Sequence, residues 1–187
     1  MASSKSGSRR KTGKGAQDAI ALLKADHAKV QGLFDQFEKA RTESRKLSLA
    51  QEICMELKVH TAIEEEIFYP AAREAVDDND LFDEAAVEHQ SAKELITQIE
   101  EGSLGDDMWS AKVTVLGEYI KHHVKEEQNE LFPEVRGSEL DLKALGQQLL
   151  ERKQQLMTEF KEKMNGVRAS SRRGTSSGKS HSESQQL

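Results

Sequence analysis

Apolar positions recur at helical spacing in five stretches of the chain, each bounded by turn-forming or capping residues. The first begins behind Asp18, a good N-cap, and runs to about Ala40; the second spans about Ser44 to Arg73. The acidic run at residues 77–80 separates it from a third, about Leu81 to Glu101, which Gly102 and Gly105 close. Asp106 or Asp107 is positioned to cap a fourth that reaches about Val135, and Gly137-Ser138 precedes a fifth from about Glu139 to Met164. Such short connections make neighbouring helices antiparallel, so the pattern predicts an all-α, up-down-up-down four-helix bundle with an additional C-terminal helix. The expected organisation is a basic tail (1–17), the bundle (18–136), an extra packing or dimer helix (137–164) and a second basic tail (165–187). Leu142, Leu145, Leu149, Leu156 and Phe160 form the apolar stripe of the fifth helix, and a homodimer through it is one expectation.

The phase of the apolar seams brings in the chemistry. Ile20, Leu23, His27, Val30, Phe34 and Phe37 step by three and four, which puts His27 in the middle of a buried stripe. Phe82, Ala85, His89, Ala92, Ile96 and Ile99 do the same around His89. The second seam reads Ile53, Leu57, His60, Glu64, Ile67 and Ala71, and the fourth reads Val113, Leu116, Ile120, His123 and Glu127. Four imidazoles and two carboxylates thus occupy inward positions on four facing helices. A buried polar group without a partner costs about 1–3 kcal/mol, and an unpaired carboxylate costs more. Residues four apart share a helix face, so His60 with Glu64 and His123 with Glu127 can reach a common ion.

A repeat organises these residues. His60 to Pro70 lies over His123 to Pro133 with His, Glu, an aromatic residue and Pro in register, and Asp26-His27 lies over Glu88-His89. One core histidine is ordinarily satisfied by a backbone carbonyl or an acid. Six donors in phase in a duplicated pattern point to metal. Imidazole and carboxylate donors without thiolate suit Fe, Mn or Zn, and six donors divide naturally over two ions. His122 begins a second His-x-x-x-Glu with Glu126, but Glu127, not Glu126, stands in register with Glu64 before its proline, so His122 is expected to be a neighbour of the site. Tyr119, one turn before His123, is read as packing, Glu65, Glu66 and Glu126 as a solvated acidic face, and Cys54 as an apolar filler.

The doubled His-x-x-x-Glu-x-x-x-Phe/Tyr-Pro signature, whose second half ends Leu131-Phe132-Pro133, resembles the hemerythrin-like, or HHE cation-binding, family over about residues 18 to 136. The resemblance implies a non-haem di-iron centre with bridging Glu64 and Glu127 and terminal His27, His60, His89 and His123. Water, hydroxide or a bridging oxo group is expected at the positions the protein leaves open. The oxygen carriers of that family hold a further His one turn along the third helix, whereas Ala85 and Lys93 flank His89 here. That departure favours a more open iron, reacting with oxygen, hydrogen peroxide or nitric oxide, and a peroxide-consuming activity is one outcome. The alternative is an iron or redox sensor, a regulatory module without turnover.

Composition and charge narrow the setting. Of 27 basic and 33 acidic residues, nine basic and one acidic fall in the two tails, which leaves 18 against 32, a balance of −14, for the body. The tails are rich in Ser and Gly with little to bury, so disorder is expected there; without interleaved aromatics they favour solubility, with nucleic-acid contact as a weaker expectation. A single cysteine rules out an internal disulfide and a thiolate cluster. No stretch approaches the roughly 18 apolar residues of a membrane span, and the N-terminus lacks the apolar region of a secretory signal, so a cytoplasmic protein that does not engage the membrane is expected.

Overall fold

The Asp18 carboxylate accepts from the Ala21 N–H at 2.8 Å and starts α1, Ala19–Lys39, in the computed structural model, which describes residues 17–76 and 79–174, with side chains as far as Lys163. Thr42 caps α2, Glu43–Ile63, close to the expected start near Ser44. A π-helical turn, Glu64–Phe68, joins α2 to α3, Tyr69–Arg73. Helix α4, Asp80–Glu101, opens with Asp80 and Asp83 in its first turn, where acids favour the helix dipole. Helix α5, Trp109–Glu126, starts later than the expected Asp106 or Asp107 cap, because Asp106 closes the preceding turn by accepting from the Ser103 N–H at 2.8 Å. A second π turn, Glu127–Leu131, leads into α6, Phe132–Gly137, and the chain closes with α7, Leu142–Gly174.

Both π turns have a cause in the sequence. Pro70 and Pro133 cannot donate to a carbonyl one turn back, and in a regular helix their rings would strike it. The ladder widens instead, so that the Tyr69 N–H reaches the Glu64 carbonyl and the Phe132 N–H reaches that of Glu127. The extra residue advances the buried face by one position. The seam expected at Ile67 and Ala71 therefore runs through Phe68 and Ala72, and Ile67 and Ala71 are only partly buried.

Helices α1, α2, α4 and α5 pack in a ring, α1 on α2, α2 on α4, α4 on α5 and α5 on α1, as an antiparallel bundle. Two apolar clusters fill it. One gathers Phe68, Phe82, Phe132 and the stripe of α7 at one end, and the other gathers Phe34, Phe37, Ile53, Leu116 and Trp109 at the opposite end. The six seam donors lie buried in the layer between them.

Helix α7 lies on α1, α2 and the first π turn, with Leu145, Leu149 and Leu156 buried and Leu142 and Phe160 partly buried. Its approach is close. A Cβ on Gly146 would stand 2.5 Å from the Gln17 carbonyl oxygen and 2.8 Å from the Ala19 nitrogen, so glycine is what admits the α1 start there. Of the two roles expected for this helix, packing on its own bundle is the one its apolar stripe fills. Helical backbone continues through Gly174, past the expected end at Met164 and into the stretch expected to be disordered, because an established helix extends at little cost where no proline stops it. The remainder of the two basic tails lies outside the described residues. Among the described residues no helix is long and apolar enough to cross a membrane.

Candidate metal centre

Each of the four bundle helices delivers one histidine to the polar layer with its Nε2 atom facing the bundle axis. His27 Nε2 and His60 Nε2 stand 2.9 Å apart, and His89 Nε2 and His123 Nε2 stand 3.2 Å apart. Glu64 spans the two pairs, with Oε1 at 3.2 Å from His60 Nε2 and Oε2 at 3.5 Å from His89 Nε2. Glu127 spans them from the opposite half through one oxygen, Oε2, at 3.2 Å from His27 and 3.5 Å from His123. All six residues named from the sequence are thus brought together. Both begin-of-turn positions matter here, since Glu64 and Glu127 are the first residues of the two π turns.

The donor chemistry fits cations. Two ligands bonded at about 2.0–2.2 Å to one ion stand about 3–3.5 Å apart, which is the spacing seen between these atoms. His27, His60, Glu64 and Glu127 offer donor atoms within 4.8 Å of one another, and so do Glu64, His89 and His123. Both Glu64 oxygens and Glu127 Oε2 are buried with no hydrogen-bond donor. Lone pairs facing lone pairs in an apolar surround are unfavourable until a proton or a cation sits between them.

The outer ring atoms are fixed by a second repeated scheme. Each acid that precedes a first-helix histidine faces the Nδ1 of the second-helix histidine of its own half, within hydrogen-bond reach at Glu88 but not at Asp26. Asp26 Oδ2 lies 3.7 Å from His60 Nδ1, and Glu88 Oε2 accepts from His123 Nδ1 at 2.7 Å. The residue after each glutamate serves the opposite half, with Glu65 Oε1 at 3.1 Å from His89 Nδ1 and the Gln128 amide at 3.1 Å from His27 Nδ1. The carboxylates of Glu88 and Glu65, which accept from Nδ1, orient their imidazoles, settle the tautomer and raise basicity at Nε2, whereas Gln128 presents its amide nitrogen to His27. Glu65, expected in a solvated acidic face, is therefore part of the site, and it also receives Lys93 at 2.6 Å. Glu66 pairs with Arg152 of α7 at 2.6 Å, and Lys153 of α7 pairs with Asp26.

Burial sets the proton affinities. It pulls His60 down to about 4, and it lowers His89 as well. At His123 the Glu88 and Glu127 carboxylates outweigh burial and raise it. Burial beside the Glu127 charge pushes Glu64 well above the carboxylate range, while the histidines around Glu127 overcome its own burial and hold it low.

Besides Gln128, the structure adds Tyr69 to the site. Tyr69 donates its hydroxyl to Glu127 Oε1 at 2.9 Å, 3.4 Å from His89 Nε2, and its ring stacks on His89 at 5.5 Å. The matching residue of the other half is Phe132, stacked on His27 at 5.8 Å. The repeat itself carried the signal, because the residue before each proline is Tyr in one copy and Phe in the other. Burial pushes the Tyr69 phenol well above its ordinary range, so the proton stays on it. His122 and Tyr119 both stand outside the centre and are exposed. Ala85 belongs to an apolar cluster and Lys93 to Glu65, so neither position adds a donor. Cys54 is buried in the other apolar cluster.

The hemerythrin HHE cation-binding domain model matches residues 18–135 of the chain. A curated protein of Nostoc sp. (strain PCC 7120 / SAG 25.82 / UTEX 2576) named a DNA nickase is 27% identical over 117 residues, 63% of this chain and 33% of its own length. The chain thus spans about a third of that relative. The crystal structure of a hemerythrin HHE cation-binding domain-containing protein from Mycobacterium kansasii superposes with a TM-score of 0.69 at 22% identity, over 79% of this chain and 92% of that one. With the family model matched across the bundle and its signature residues gathered in one buried layer, the chain belongs to the hemerythrin HHE cation-binding family.

Proposed function

We propose that His27, His60, Glu64, His89, His123 and Glu127 hold two iron ions, and that the protein reacts with small oxidants there, hydrogen peroxide first among them. The observation that carries this reading is the pair of carboxylates, each reaching one histidine of both pairs. When bound, the two ions supply redox chemistry at positions the protein does not fill.

The chain's own residues set the conditions. Two imidazoles and shared carboxylates per ion leave coordination positions open, and neither Ala85 nor Lys93 closes them. A cavity of about 240 Å³ between α4 and α5, lined by His89, His123, Ile120 and Tyr119, opens toward the His89 and His123 pair. Tyr69 keeps its proton beside that pair and donates a hydrogen bond to Glu127 Oε1, which favours the carboxylate form. The apolar clusters on either side exclude bulk water. The iron-loaded protein is expected to consume hydrogen peroxide in steady state, and Glu64→Gln to abolish this. Inertness of the loaded protein would shift the reading to a sensor that binds iron without turnover.

A second reading rests on the name of the Nostoc relative and on the basic residues of the two tails. In it the bundle is held at nucleic acid by its tails. Salt-dependent retention on DNA, lost when the tails are deleted, is its test.

A further inference from the structure

A third group of donors sits outside the buried layer. His122 and Glu126 are one turn apart on the outer face of α5, with His122 Nε2 at 3.0 Å from Glu126 Oε1. Glu88 reaches them from α4, its Oε1 at 3.6 Å from the same His122 nitrogen. The three donor atoms lie within 4.8 Å of one another, and the two distances from His122, 3.0 and 3.6 Å, are close to the spacing of about 3–3.5 Å between ligands of one small cation. Their exposure is graded, 64% for His122, 33% for Glu126 and 27% for Glu88, so the open side of the group faces water.

His122 and Glu126 form an i, i+4 pair on α5, and Glu88 brings a third donor to it from α4. The two oxygens of Glu88 face in different directions: Oε1 turns outward to His122, and Oε2 accepts from Nδ1 of the buried His123. One carboxylate therefore belongs to both the outer group and the buried centre. The cavity of about 240 Å³ is lined by Glu88, His122 and Tyr119 and also by His89 and His123, so residues of both groups border one space.

We propose that Glu88, His122 and Glu126 form an outer site for a divalent cation of the Zn²⁺ or Fe²⁺ class, which captures the ion and passes it along this cavity to His89 and His123. The transfer step rests on the buried centre proposed above; the outer site does not. Imidazole with two carboxylates suits such borderline ions, and the exposure of all three side chains keeps the ion in exchange with water. Two carboxylates at the mouth of a cleft also raise the local cation concentration.

The test uses the full chain and Zn²⁺ as the probe. Metal per chain is measured by equilibrium dialysis for the wild type and for the His122→Ala, Glu126→Gln double variant, neither of which removes a core contact. The variant is expected to bind one equivalent fewer and to fill its chelator-resistant sites about tenfold more slowly. Unchanged stoichiometry overturns the outer site. One equivalent lost with loading at the wild-type rate overturns the transfer. Glu64→Gln separates the two proposals: it is expected to keep the His122-dependent equivalent while losing buried metal. A wild type that binds only the His122-dependent ion would end the buried-centre reading and leave the outer site standing.

Discussion

His122 and His123 are neighbours in sequence with opposite environments, because successive residues on a helix point about 100° apart. His123 Nε2 faces the buried donors, whereas His122 lies on the exposed side of the same turn. His123→Ala is expected to lower retained iron to about one ion per chain or less, and His122→Ala to leave the tightly held iron in place. Metal analysis after desalting checks both, and iron loss from His122→Ala alone would reverse the assignment. The repeat made this distinction legible in the sequence, because Glu127 and not Glu126 stands in register with Glu64 before its proline. The roles of Glu65 and Gln128 were not, since an exposed-face acid and an amide acquire meaning only when a histidine of another helix is brought opposite them.

Cys54 offers a test at the same scale, away from the metal ligands. Burial pushes its thiol from 9.0 to about 12. The unfolded chain ionises first, so the contribution to stability is full below about 9 and is lost as pH rises toward 12, at about 1.4 kcal/mol per pH unit. Urea unfolding at pH 8 and pH 10 is expected to show a steeper alkaline loss for the wild type than for Cys54→Ala. Equal losses would mean that the thiol is not desolvated.

At the scale of the element, the helical period located all four bundle helices and their seams before the π turns, and it placed all six donors, the two glutamates falling on the first residue of each turn. It failed beyond Glu64 because a regular period carries no signal for an inserted residue. The cause was nevertheless written at Pro70 and Pro133, six residues after each glutamate. The consequence can be measured. Phe68, fully buried, is expected to cost about 3–5 kcal/mol when changed to Ala, whereas Ile67→Ala is expected to cost much less than the 2–5 kcal/mol typical of a core isoleucine. Denaturant midpoints of the two variants decide between the shifted face and a straight helix, for which Ile67 would be the costly position. The α7 packing was half legible: its leucine stripe demanded a partner, but only the close seat of Gly146 on the start of α1 shows that its own bundle supplies one.

For the whole molecule, two apolar clusters enclose a layer of six ionisable side chains. A fold that buries such a layer gains stability from whatever satisfies it. Ligand bound only to the native state stabilises by about 2.7 kcal/mol at a hundredfold excess over its Kd, so the bundle and its metal are thermodynamically linked. The duplicated sequence is what makes the layer symmetric, with each half supplying two histidines and one carboxylate that reaches both histidine pairs. Its asymmetries, Tyr69 against Phe132 and Glu65 against Gln128, set the two ends of the centre apart chemically.

The central claim is that this layer is a binding centre for two ions. Thermal unfolding of the metal-free protein along an anaerobic Fe²⁺ titration tests it most directly. The melting temperature is predicted to rise steeply until about two ions per chain are bound and only slightly thereafter, since the outer donors contribute little to the fold. Identical melting of the metal-free and loaded protein would contradict the account.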